Sequence, residues 1–142
     1  MHQVNNNNFE IASDWKICQS TINKLIQFLT NIKHLESILP KDKIHNFQVL
    51  ENNKISFEIE QIIQLTLSID YDENNTVEPH RIYYHSEPFG NYHLSLIAQF
   101  QNNQSQIILT GNLNPFVLSI ARKKLQHLVD RINQELSNLI LS

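Results

Sequence analysis

The chain has 142 residues, of which 41% are hydrophobic and 18% charged, with a net charge of −3; this is the size of a single domain able to bury a core without covalent staples. Its 11 lysines and arginines nowhere gather four or more together, so the basic footprint that nucleic-acid binding rests on is missing and no nucleic-acid partner is expected. A lone cysteine, Cys18, rules out an internal disulfide, no apolar run approaches the ~18 residues of a membrane-spanning helix, and the first residues lack the charged-then-apolar order of a signal peptide, so the expectation is a cytoplasmic protein without integral membrane association.

In chain order, residues 1–8 read as a disordered polar lead-in, with Asn5 to Asn8 in a row, and residues 9–142 as one domain. From Phe9 the pattern alternates: Phe9, Ile11, Trp15 and Ile17 fall on one side of a predicted half-buried strand. Ser20 is placed to cap a helix carrying Ile22, Leu25, Ile26 and Leu29. A second short helix follows around Ile32, Leu35, Ile38 and Leu39, and Pro40 ends it because the residue before proline resists helical angles. The period then changes to two. Segments Ile44–Leu50, Lys54–Glu60, Ile62–Tyr71, Arg81–Ser86, Tyr92–Gln101 and Gln106–Leu113 are predicted strands, joined by turns such as Glu51-Asn52-Asn53, Pro88-Phe89-Gly90 and Asn102-Asn103. Short connections imply an antiparallel meander. One face is apolar (Ile55, Phe57 and Ile59 in one strand, Leu65 and Leu67 in the next), and the other carries Gln64, Thr66, Tyr83, His85 and His93. Asn114-Pro115 then starts a long helix, a capping side chain followed by proline at the first helical position. Its stripe of Val117, Ile120, Ala121, Leu125, Leu128, Val129, Ile132, Leu136 and Leu139 would run roughly 38 Å. A one-sided sheet needs a cover and a long amphipathic helix needs a partner, so the fold class is α+β with the helix across the sheet.

This order of elements resembles the helix-grip fold of the START-like superfamily, also called SRPBCC, and more narrowly a small, uncharacterised bacterial branch of it. The residues that carry the likeness are Phe28-Leu29 with Leu35, Leu39-Pro40-Lys41-Asp42-Lys43, Gly111-Asn112-Leu113-Asn114-Pro115-Phe116, and Leu125-Gln126 with Leu128-Val129-Asp130. The resemblance spans roughly Phe9 to Leu139. It implies a curved antiparallel sheet of about seven strands, two short helices after the first strand, and a cavity between sheet and final helix. The lining would be drawn from Trp15, Phe57, Leu65, Leu67, Tyr84, Leu94, Leu96, Leu109, Phe116 and Ile120. Tyr84 and Tyr92 offer hydroxyls at the ends of apolar strand faces, and a buried tyrosine hydroxyl needs a partner.

The inward positions hold almost no ionisable group. Glu58, Asp70, His85 and His93 fall on the outward register, Glu60 sits at a strand end, and Lys124 lies one turn beyond Ile120, at most edging the cavity mouth. A three-residue turn at Pro88-Phe89-Gly90 would make His85 and His93 cross-strand neighbours, yet two imidazoles fall short of the ligand set of a structural or catalytic zinc. No metal or cofactor is therefore expected. Cys18 reads as a packed small residue, and two glycines in separate loops exclude a phosphate-binding loop. The reading is a non-catalytic carrier or sensor for a hydrophobic small molecule or lipid. The alternatives are a protein-partner-binding module with a filled cavity, for which Tyr83 and the nearby histidines are the hook, and a cyclase- or dehydratase-like enzyme.

Overall fold

The period-two segments do form one antiparallel meander, in a computed structural model that describes residues 8–60, 63–88 and 92–141. The elements are β1 (Asn8–Ala12), β2 (Lys16–Ile17), α1 (Ile22–Leu29), a 3-10 helix (Ile32–Ile38), β3 (Ile44–Leu50), β4 (Lys54–Ile59), β5 (Ile63–Asp70), β6 (His80–Ser86), β7 (His93–Gln101), β8 (Gln104–Asn112) and α2 (Pro115–Asn138). They build an eight-stranded sheet in the order β1-β8-β7-β6-β5-β4-β3, with β2 also on β8. The hairpin turns follow from asparagine's tolerance of left-handed backbone: Asn102 and Asn103 take φ of 51° and 60° between the paired Gln101 and Gln104. Residues 1–7 of the expected lead-in, the expected strand start Ile62 and the turn residues Phe89 and Gly90 lie outside the described residues; Asn8 is the first residue of β1.

The first strand departs from the expected single run. Ala12 pairs with Ile108 and Lys16 with Ser105, so four steps on one side oppose three on the other. This β-bulge reverses the parity of the side chains. Ile17 consequently points outward, 67% exposed, while Cys18 turns in and is buried. Ser13 holds the bulge: its backbone N–H donates to the Ile107 carbonyl, and its hydroxyl accepts from the Ile107 N–H. Ser20 is likewise not the helix cap. Thr21 caps α1 by accepting from Lys24 N–H, whereas the Ser20 hydroxyl donates to the Leu139 carbonyl and accepts from Leu141 N–H, tying α1 to the end of the chain. The second helix is a 3-10 helix because its apolar residues recur every third position, Ile32, Leu35 and Ile38, which that geometry stacks on one side.

Asn114 caps α2 through its side-chain oxygen, which accepts from Phe116 N–H at 2.8 Å, and Pro115 occupies the first turn. The 24-residue helix is about 36 Å long. Its packed face is Ala121, Leu125, Leu128, Val129, Ile132 and Leu136, all buried against the sheet, each large side chain contributing roughly 1.5–3 kcal/mol. Two buried polar side chains, Asn133 and Ser137, interrupt this face. Asn133 is fully buried; its amide donates to the carbonyls of Asp14 (2.8 Å) and Ser105 (3.1 Å) and its oxygen accepts from the Ser105 hydroxyl (2.7 Å). The helix, β8 and the bulge are thereby joined at one point. Truncation would strand buried donors and acceptors, so Asn133→Ala is expected to lose about 2–3 kcal/mol of unfolding free energy, measured by urea denaturation.

Candidate functional site

The apolar strand positions come together by cross-strand register. Ile69, Tyr84, Leu96, Leu109 and Ile11 form one transverse row, Phe57 faces Leu65, and Leu94 lies opposite Gly111. Gly111 has φ of 150°, and a Cβ there would collide with the His93 carbonyl oxygen, so the close approach of β7 and β8 at this point requires glycine. Phe57, Leu65, Leu67, Tyr84, Leu94, Leu96 and Leu109 all belong to a single buried cluster. Each of them is at most 6% exposed and packs as part of that core.

Tyr84 is fully buried and its hydroxyl donates to the Leu29 carbonyl at 2.7 Å. That carbonyl ends α1 and has no partner of its own within the helix. Burial pushes the phenol well above its usual pKa. Its hydroxyl is a structural tie between sheet and α1. Tyr92 is half-buried at the start of β7. Trp15 is also half-buried, beside Asp14 at the bulge. Since Asn133 bonds the Asp14 carbonyl, Trp15 lies near the middle of the second half of α2, about 20 Å along the axis from Ile120, and is not brought together with Phe116.

The remaining two candidates sit on the head of α2. Phe116 is 73% and Ile120 60% exposed, which departs from the expectation that the apolar stripe packs along its whole length. Full burial starts at Ala121; ahead of it Leu118 is partly buried against the core, while Phe116 and Ile120 lie off that contact. Beside Ile120 lies an open groove of about 350 Å³, lined by Ile120, Lys123, Lys124 and His127 of α2 and by Lys43 of the connector between the 3-10 helix and β3. Glu60, just past β4 with φ of 44°, faces it. Its carboxylate meets Lys43 at 2.7 Å and Lys124 at 3.7 Å. The hydrogen bond from Lys43 holds the Glu60 carboxyl below its ordinary 4.5. About two turns beyond Lys124, Arg131 grips Asp42 with two parallel hydrogen bonds of 3.2 and 2.9 Å, which lowers that carboxyl too. Lys43, Lys123 and His127 carried no distinguishing pattern in the sequence; the only signal was the i, i+3, i+4, i+7 spacing of Ile120, Lys123, Lys124 and His127, which reads equally as a solvated helix face.

On the outer face, His85 pairs across the ladder with Ser95, not with His93, whose partner on β8 is Asn112. The His85 ring lies 2.7 Å from the Ser95 hydroxyl and 3.6 Å from the Asp70 carboxylate. Serine, histidine and aspartate in line suggest a nucleophile and its base, but Ser95 lies in a central strand whose backbone N–H groups serve the β6 and β8 ladders. Among the described residues of that strand no donor is left to meet a developing oxyanion. Cys18 is buried and desolvation raises its thiol, opposite to the shift that makes a cysteine reactive. Among the described residues no helix is long and apolar enough to cross a membrane.

No protein-family profile matches the sequence, and no curated protein is significantly similar to it. Solved structures are similar in fold. The KanY protein superposes with a TM-score of 0.66 at 11% identity, over 92% of this chain and 95% of that one. TTHA0849 from Thermus thermophilus gives 0.59 at 12%, over 91% and 94%. Ara h 8.0201 gives 0.52 at 14%, over 92% and 99%. At these identities the likeness is one of architecture. The chain has the helix-grip α+β fold.

Removing the Tyr84 hydroxyl leaves the Leu29 carbonyl unpaired, so Tyr84→Phe is expected to cost about 1–2 kcal/mol with an unchanged urea m-value. The Glu60 pKa is lower folded than unfolded, so its contribution is complete above about pH 4.5 and disappears as pH falls through the lowered folded value. Glu60→Gln should therefore lose less stability than the parent between about pH 6 and about pH 3 in paired urea titrations.

Proposed function

We propose that this protein is a non-catalytic binder, a carrier or sensor, of a hydrophobic small molecule or lipid, which it takes at the mouth between the head of α2 and the sheet. The observation that carries this is the exposure of Phe116 and Ile120, one helical turn apart and beside a groove of about 350 Å³. Scattered exposed apolar residues need no explanation, but an adjacent pair bordering a concave surface marks a place where something apolar is covered on binding. The groove volume is at the small end of the ~300–1,000 Å³ usual for ligand sites.

In this reading Phe116 and Ile120 touch the ligand directly and Tyr92 borders the mouth. Phe57, Leu65, Leu67, Tyr84, Leu94, Leu96 and Leu109 form the wall behind it, reached by a ligand only if the head of α2 lifts. Trp15 serves the opposite end. That the fully buried residues of α2 begin at Ala121 supports such a division, because moving its first turns disturbs little beyond the partly buried Leu118. The helix-grip fold of the KanY protein and Ara h 8.0201 is compatible with this reading and does not specify it. A second reading, a partner-binding module with a filled cavity, is favoured by the packed sheet face and by Tyr83 stacked on His85 at 5.6 Å.

Titration with an uncharged apolar fluorophore such as N-phenylnaphthylamine separates the two. Saturable binding is expected. Replacing Phe116 and Ile120 together by serine should weaken it about tenfold or more while stability changes by less than about 0.5 kcal/mol each, since both side chains are already solvated. Absence of saturable binding to the parent protein would leave the partner-binding reading standing.

A further inference from the structure

We infer that the ligand is an anionic amphiphile, with its acidic head seated between Lys43 and the Lys123–Lys124–His127 stretch of α2 and its apolar tail along Ile120 and Phe116. This rests on the proposed binding function and adds a chemical class to it. Positions 116, 120, 123, 124 and 127 follow the spacing of one helix face, and their chemistry changes along it. Phe116 and Ile120 are apolar, whereas Lys123, Lys124 and His127, which line the groove after Ile120, are basic. Two turns of helix thus present a tail surface followed by a head surface, about 10 Å apart from Phe116 to Lys123.

Charge decides the sign of the head. The chain carries a net −3, yet the groove collects three lysines and a histidine around the single carboxylate of Glu60. Glu60 engages Lys43 and Lys124, and among the described residues no carboxylate pairs with Lys123 or His127. The cationic surplus therefore lies beside the exposed apolar pair. The lysine stems add methylene surface to the groove wall while their ammonium groups stay at its rim. A neutral apolar molecule would use only the first half of this arrangement. A single-chain carboxylate or phosphate ester uses both, adding charge-assisted hydrogen bonds at the rim.

The probes are cis-parinaric acid and its uncharged methyl ester, each below its critical micelle concentration, read by polyene fluorescence with the intact protein. The acid is expected to bind about tenfold tighter than the ester at low salt, the yield of one charge-assisted hydrogen bond. That margin should contract as salt is raised. Lys123→Gln with His127→Gln should remove most of the margin, the acid losing far more affinity than the ester, as neither residue pairs with Glu60. A parallel arm with phosphatidylglycerol vesicles tests a membrane surface as the source of the anion. Equal affinities for acid and ester, insensitive to the double variant, would overturn the anionic head and leave apolar binding intact. Binding to vesicles without binding of monomeric acid would overturn it in favour of a lipid surface, and binding of neither probe would remove the underlying function as well.

Discussion

The side-chain amide of Asn133 is the interaction on which the rest of this architecture hangs. It lies in the middle of the apolar face of α2 and spends its capacity on two segments distant in sequence, the Asp14 carbonyl and the hydroxyl and carbonyl of Ser105. An apolar side chain in that position would pack, but it would not specify where along β8 the helix rests. In a low-dielectric interior an unsatisfied amide is costly, so only one helix register is tolerated. The bulge it grips sets the parity after β1. That parity turns Cys18 inward and feeds the chain into α1, whose last carbonyl then receives the Tyr84 hydroxyl.

Anchoring at this end divides α2 into unequal parts. From Ala121 onward every turn contributes a buried side chain, and Ser20 holds the far terminus through the Leu139 carbonyl and Leu141 N–H. The first turns have the Asn114 cap, a partly buried Leu118 and, a little further on, the ion pair of Lys124 with Glu60. A screened, partly exposed ion pair is a weak tie compared with buried leucine. The helix therefore combines a fixed tail with a loosely held, apolar head, and the groove opens beside that head. The proposed binding at the mouth of the grip draws on this asymmetry, since side chains there are already solvated and little packing must be disrupted.

The sheet contributes differently. Its concave face is a dense core in which Tyr84, the most polar side chain of the transverse row, is already hydrogen-bonded. A packed face of this kind supports the helix, and at the rim Lys43 and Glu60 meet from two separate connections.

Much of this was written in local pattern. Alternation from Ile44 to Asn112, the asparagine turns and the Asn114-Pro115 start each follow from short-range sterics and periodicity, and together they dictate a meander covered by a terminal helix. Long-range facts were not legible. Nothing near Phe9–Ile17 signals a bulge, since its cause is Ser13 bonding Ile107 ninety-four residues away. Ser20 matched a capping pattern, but its hydroxyl is claimed by Leu139 and Leu141. Ile120 obeyed the periodicity of a buried stripe and Phe116 was expected to line a cavity, yet both are exposed, because periodicity assigns a face to a residue without telling whether a neighbour reaches it. Lys43, Glu60, Lys124 and His127 come from three elements and form a groove only when those elements dock. The sequence by itself determined which residues prefer which element and which side of it; the tertiary structure alone decided where the packed partner ends, and with it which apolar side chains remain open to a ligand.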